Sequence, residues 1–600
     1  MSSAPGGAAA EAPEGAARVA SATPARGPAG VPVPGSPGDD GPRRHRALVL
    51  VLLVAVLVLA VALRLKGVGW GLPYSLVNVD ESTVLPKAFG AARGGVNPQF
   101  FYYPSFFFYV VGAVYLAATP LLWLLTGSNP LAVASFVTDP APYFVLGRLV
   151  SVAAGTASVY VLYRLGREAF GAPAGLVAAL LLAVAPLHVA YSHMAVTDVT
   201  ATTLSLLALL LLYQAARGAG ARRLVAGAVL AGLATSTKYN LGLLVLPATV
   251  AAVSACRAGV AARLAGRGLS PAGRPIAGPP GAGRLAGLAR VALAWARPLV
   301  LRVYVPMLAA FVLGSPFIVL DPGHFLHDFL RQNRIMARGW LGWENAGNGL
   351  WYNLHVNFTG ALGVVLLCVC LAGLAWALWR HTLLDLLLAP YAVVYVLYIS
   401  TWKELADRYL LPVLPLLILL GARLCVEVAL ARPAWRRVAV PAAAVVVVFA
   451  AAGALSASLA FDAGLSGRDT RVLAAQWIGD ALPAGSTIAT ETSGPQLHRL
   501  RDAKRWREAG KEVPAAFRVI RLRLPAPGLA NRTHDLAWVK EHGADYVVVS
   551  SLVSDRVRAA APYYPSVTRF YDDLDARATL VKTFAPGPGV RGPTIKVYRL

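Results

Sequence analysis

With 57% hydrophobic and 14% charged residues over 600 positions, and a mean hydropathy of +0.58, the chain has too little charge to coat a soluble protein of this size. A polytopic membrane protein is the class that remains. The net charge of +25 does not point to a nucleic-acid partner, because the arginines fall mostly in the first 46 residues, in short loops between apolar runs and in the C-terminal region.

Residues 1 to 46 open with Ala, Gly, Pro and Ser and cannot bury enough surface to offset the entropy of ordering, so a disordered cytoplasmic tail is expected. The first apolar run, Ala47 to Leu63, is long enough at ~1.5 Å per residue to cross most of a hydrocarbon core of about 30 Å. Arg43, Arg44 and Arg46 hold its N-terminal side in the cytoplasm. The run is too long and too deep in the chain for a cleaved signal peptide and reads as a signal anchor.

Further apolar runs lie near 143 to 163, 174 to 190, 199 to 215, 222 to 236, 240 to 256, 298 to 320, 356 to 379, 382 to 400, 409 to 430 and 438 to 460. If each crosses once, the basic clusters at Arg164/Arg167, Arg217/Arg222/Arg223, 257 to 297, Arg380/His381 and Arg432/Arg436/Arg437 all fall in the cytoplasm, giving eleven crossings. The stretch Pro104 to Leu125 cannot cross as well without inverting every later loop; an interfacial, re-entrant or broken-hairpin segment is expected there. The cysteines, Cys256, Cys368, Cys370 and Cys425, lie in or beside apolar segments and imply neither a disulfide framework nor a zinc site.

The transmembrane domain is thus expected over 47 to 460, and a small extracytoplasmic α/β domain over 461 to 600. There DTRVLAAQWIGDAL leads into STIATE, THDLAWVKEHG leads into DYVVVSS, and the chain closes on TIKVYRL. The segment holds no phosphate loop.

The unusual polar residues gather in loops on the non-cytoplasmic side. Asp80-Glu81 can cap the helix that follows, or one carboxylate can take a proton from an acceptor hydroxyl while the other supports it. Phe100 to Val110, with Tyr102 and Tyr103, is an interfacial aromatic belt or a platform for a sugar or an isoprenoid tail. Asp198 stands at the mouth of the next helix, as a cap or as a site residue. His188 and His193 are spaced i, i+5, a poor helical metal-ligand pair, and interfacial hydrogen bonding suits them better. Lys238, in TSTKYN, can snorkel to headgroups. The segment Thr401 to Pro415 carries Lys403, Glu404, Asp407 and Arg408, and cations there can grip a phosphate. Asp321 to His355, dense in Trp, Asn and Arg, is an interfacial amphipathic segment or a lid in which Trp340, Trp343 or Trp351 stacks on a sugar.

Asp80-Glu81, Tyr103-Pro104-Ser105-Phe106, Pro186 to Asp198, Lys238-Tyr239 and Arg408-Tyr409 with Pro412 come in an order that resembles the GT-C superfamily of integral-membrane glycosyltransferases. Within it the resemblance is to the protein O-mannosyltransferase-like group, glycosyltransferase family 39, and its lipid A aminoarabinose transferase relatives, over roughly residues 47 to 430. The chain departs from that pattern at Tyr103-Pro104-Ser105-Phe106, where relatives carry His-Pro-Pro-Leu, and at His193, where they often carry arginine.

The resemblance implies an all-α polytopic GT-C fold and an inverting transfer of a monosaccharide from a polyprenyl-phosphate donor to a glycan, lipid or protein hydroxyl. In this reading Asp80 is the general base, with Glu81 and Asp198 as orienting groups. Lys238, Lys403 and Arg408 face the donor phosphate as charge grows on it. Tyr102, Tyr103, His193, Tyr239, Trp340 and Trp343 contact substrate. The lipid-linked sugar is the co-substrate; a divalent metal stays open, though the sequence does not indicate one. A transporter or flippase for lipid-linked sugars is the competing class, and it should show internal repeats and ionisable groups near the bilayer midplane. An assembly protein without catalysis is a third.

Overall fold

A computed structural model describes residues 40–74, 78–265, 284–527 and 531–600. Most of the expected N-terminal tail, and the centre of the expected 257–297 linker, lie outside the described residues.

Apolar runs become helices because, away from water, only a helix satisfies its own backbone polar groups. Among the described residues, eight helices are long and apolar enough to cross a membrane, or up to ten if each of two bent pairs is one span. The other two of the expected runs form shorter helices, Ala221–Thr235 of 15 residues and Leu414–Leu430 of 17. Each bent pair has a local cause. Pro186 lacks an amide and holds Ala185 extended, so Ala172–Val184 and Pro186–Ser192 meet at 60°. Gly363, at φ 73°, lets Gly349–Leu362 and Val364–Arg380 meet at 116°.

The Pro104 to Leu125 stretch is neither re-entrant nor broken. It forms one helix, Phe106–Thr126, continuous through Pro120. Both of its ends nevertheless lie on one face of the molecule. Phe106 N–H donates to the Ser236 carbonyl at 3.1 Å, beside the Lys238 turn, while Leu122 and Thr126 share a small cavity with Ala509 and Lys511 of the C-terminal region. By length and apolarity it is one of the eight helices that could cross a membrane.

Small residues let the long helices approach closely. A Cβ on Gly373 would stand 2.5 Å from the backbone of Leu420 and Gly421, so Val364–Arg380 and Leu414–Leu430 touch main chain to main chain. Arg423, buried in the latter helix, is ion-paired with Asp385 and with Glu427 at 2.7 Å.

The C-terminal region forms a five-stranded mixed sheet. Thr487–Glu491 lies between two parallel neighbours, Arg518–Leu522 and Tyr546–Ser550; Ile595–Arg599 then pairs antiparallel with Tyr546–Ser550, and Thr579–Phe584 closes the far edge. The expected strands STIATE, DYVVVSS and TIKVYRL are all in it. Thr487–Glu491 is buried at every position, as a parallel strand covered on both faces must be. Residues just past the three parallel strands, Thr492, Ser493, Leu524 and Leu552, turn toward the helical region, the edge where open α/β sheets bind ligands. By its contacts Val49–Leu600 holds together as one unit.

Candidate active site

The helix Val79–Ala92 is capped by Asn78, whose side chain accepts from the Glu81 N–H at 3.1 Å. Neither acid is therefore needed as the cap, and the two diverge. Glu81 is fully buried and takes two hydrogen bonds from Arg148, at 2.8 and 2.7 Å, and one from the Ala195 N–H at 2.8 Å. Arg148 completes its fork on the Val68 and Trp70 carbonyls, at 2.8 and 2.9 Å. Glu81 thus has no access to a substrate proton; it ties three segments together, and its expected role beside the base becomes a positioning one.

Asp80 points the other way. Its side chain is 38% exposed, ion-paired with Arg408, and accepts from the Tyr103 hydroxyl at 3.3 Å. The short Asp407–Leu410 turn brings Arg408 there and places its other terminal nitrogen 3.8 Å from Glu404. Tyr409 donates to Glu404 at 3.0 Å, and Tyr191 donates to Asp407 at 2.8 Å. Behind the Tyr409 ring, Lys238 and Asp198 form a buried ion pair, with Lys238 Nζ 4.9 Å from the ring centroid.

Burial sets the proton affinities. It lowers the pKa of Lys238 against the opposing pull of Asp198, and raises that of Glu404 although Arg408 and the Tyr409 hydroxyl favour its anion. Burial also raises the Tyr103 phenol, which stays a hydrogen-bond donor. Burial works against the Arg408 guanidinium too, but Asp80, Tyr103, Tyr409 and Asp198 together outweigh it and the pKa is held above the usual value.

Asp80, Tyr103, Glu404 and Arg408 open on a cavity of about 760 Å³, which Lys238 and Asp198 do not line. One side carries Asp80, Tyr102, Tyr103, Tyr191, Asp407 and Arg408; Trp340 and Trp343 form another wall; the sheet region closes the top with Thr492, Ser493, Leu552 and Arg556. The Pro322–Arg338 helix contributes Gln332 and Ile335, so the 321 to 355 segment is a wall of the cavity. Among the described residues, no group of three or more His, Cys, Asp or Glu is arranged to hold a metal ion.

Three expected site residues lie elsewhere. Lys403 is exposed beyond Leu405, its N–H bound to the Met336 carbonyl at 2.7 Å, and faces a second cavity. His193 is buried, with Nδ1 2.9 Å from the Val189 carbonyl and Nε2 2.9 Å from the Lys66 carbonyl. Tyr239 gives its hydroxyl to the Phe101 carbonyl at 3.1 Å and packs among Phe311, Phe325 and Phe329. Sequence reading missed Arg148, although a lone arginine inside an apolar run is a signal in itself. It also missed Tyr191 and the whole sheet contribution, for which no local signal exists.

The helical layout, with its polar site at the helix ends under a C-terminal sheet region, is the GT-C fold of integral-membrane glycosyltransferases. The apo oligosaccharyltransferase of Archaeoglobus fulgidus aligns with a TM-score of 0.52 over 89% of this chain and 73% of its own, at 12% identity. ArnT of Cupriavidus metallidurans bound to undecaprenyl phosphate aligns over 91% of this chain and 97% of its own, with a TM-score of 0.46 and 15% identity. Residues 144–264 match the family model described as dolichyl-phosphate-mannose-protein mannosyltransferase, a stretch that includes Tyr191, Asp198 and Lys238. No curated protein matches the sequence.

Proposed function

We propose that the protein is an inverting glycosyltransferase that moves a monosaccharide from a polyprenyl-phosphate donor to an acceptor hydroxyl. The observation that carries this reading is Asp80, exposed on the cavity wall, bound to Tyr103 and ion-paired with Arg408. Asp80 takes the proton of the acceptor hydroxyl as the oxygen attacks the anomeric carbon. The bond from that carbon to the phosphate oxygen breaks on the opposite side, and polyprenyl phosphate leaves with the electron pair. Arg408 has N–H donors beyond those turned to Asp80 and Glu404 and can meet the charge that grows on the phosphate. Lys238 and Asp198, ion-paired behind Tyr409, hold that floor. Inversion fits Asp80 as the base on the acceptor, because Glu404 and Asp407 are engaged by the Tyr409 and Tyr191 hydroxyls.

The family model matched over 144–264 and the GT-C fold support a lipid-phosphate donor. The arginine-rich loops support a cytoplasmic N-terminus, with site and sheet region outside the cytoplasm. The ionisable groups of the site sit at helix ends and in turns, which favours transfer over transport through the midplane. The test is incubation of the purified protein with a panel of polyprenyl-phosphate sugars, scoring release of sugar or transfer and the anomeric configuration of the product. Turnover with inversion, lost in Asp80→Asn, is expected. Inactivity toward every lipid-linked monosaccharide would overturn the reading.

A further inference from the structure

Beside the large cavity lies a second one of about 310 Å³, and the two share Trp340, Trp343 and Leu405 as a common wall. Both volumes fall in the range of ligand pockets, about 300–1,000 Å³. Two cations and one acid line the second chamber. Arg338 and Lys403 line it, and neither has an ion-pair partner among the described residues. Its one acid, Glu344, is already engaged: the Tyr564 hydroxyl and the Gly342 N–H, at 2.9 Å, both donate to it. The far side is closed by Pro527 and Tyr563 of the sheet region, so the chamber leads away from the helices where a lipid tail lies.

We propose that the two chambers form one acceptor channel, and that the acceptor is an anionic glycan chain longer than one sugar. This rests on the transferase reading above. The terminal sugar presents its hydroxyl to Asp80 in the first chamber. The next sugars pass the Trp340 and Trp343 rings, whose flat apolar faces suit the C–H faces of a pyranose. An acidic substituent on the inner sugars meets Arg338 and Lys403. A small or neutral acceptor would give that pair of cations nothing to bind.

The test uses the full-length protein in detergent and two oligosaccharide ladders, acidic oligogalacturonides and neutral manno-oligosaccharides, each from monomer to hexamer, with affinity read by titration calorimetry. Affinity should climb along the acidic ladder as the chain reaches the second chamber, then level off, while the neutral ladder stays flat. The double variant Arg338→Ala/Lys403→Ala should lose about tenfold in affinity for the long acidic chains, the scale of one or two charged contacts, and little for the monomer. Flat acidic binding in the unaltered protein, or a length dependence the double variant keeps, would overturn the proposal. Sugar release from the donor, measured separately without acceptor, reports on the transferase reading alone.

Discussion

Arg148 holds Glu81 with a two-point grip, 2.8 and 2.7 Å, inside the protein, and so leaves its sequence neighbour Asp80 as the acid that faces the cavity. Adjacent in the chain, the two carboxylates do different work because successive positions on a helix point about 100° apart.

That division separates two substitutions. Asp80→Asn should cut turnover by about 10²–10⁴-fold, the usual weight of a general base, with little change in thermal unfolding. Glu81→Ala strands the Arg148 charge in the interior and should cost roughly 3–5 kcal/mol of stability. Turnover and a thermal melt on both variants check this; equal loss of stability would refute the assignment.

Arg408 should not tolerate lysine. A planar fork can serve Asp80, Glu404 and a phosphate at once, whereas an ammonium acts as a point charge. Arg408→Lys is expected to lower kcat by at least about tenfold, which corresponds to about 1.4 kcal/mol in the barrier. Steady-state kinetics on donor turnover give the answer.

Lys238 should set an alkaline limb. Burial lowers its pKa, so the charged form that pairs with Asp198 is present below that pKa and is lost as pH rises through it, at a lower pH than for an exposed lysine. Activity should decline on the alkaline side accordingly. In Lys238→Arg, where the charge persists, the limb should move to higher pH. A pH–rate profile of the two proteins decides it.

Helix contact can be tested away from the site. A valine at Gly373 would push against the Leu420 and Gly421 backbone, which has no flexible side chain to yield. Gly373→Val should lower stability by about 1–3 kcal/mol, the usual cost of overpacking. Turnover below the melting transition should survive.

Much of the helical architecture was legible, because runs of apolar residues that fill a span leave few alternatives. The meeting of Asp80, Tyr103 and Arg408 joins three segments that the sequence marks only one by one. The Arg148 partner of Glu81 lies 67 positions away, and only the fold brings it there. His193 follows Tyr191 by two residues and points another way: Tyr191 lines the cavity, while His193 turns back onto Lys66. Lys403 and Arg408 look equivalent in sequence, yet Leu405 stands between them and gives each its own chamber. Arg556 could not be foreseen, for nothing in its neighbourhood announces a contact with residues near Asp80.

The cavity runs from Val79 at one end of the chain to Arg556 near the other. The wall that the sheet region adds to this cavity is therefore the last part of it to be synthesised.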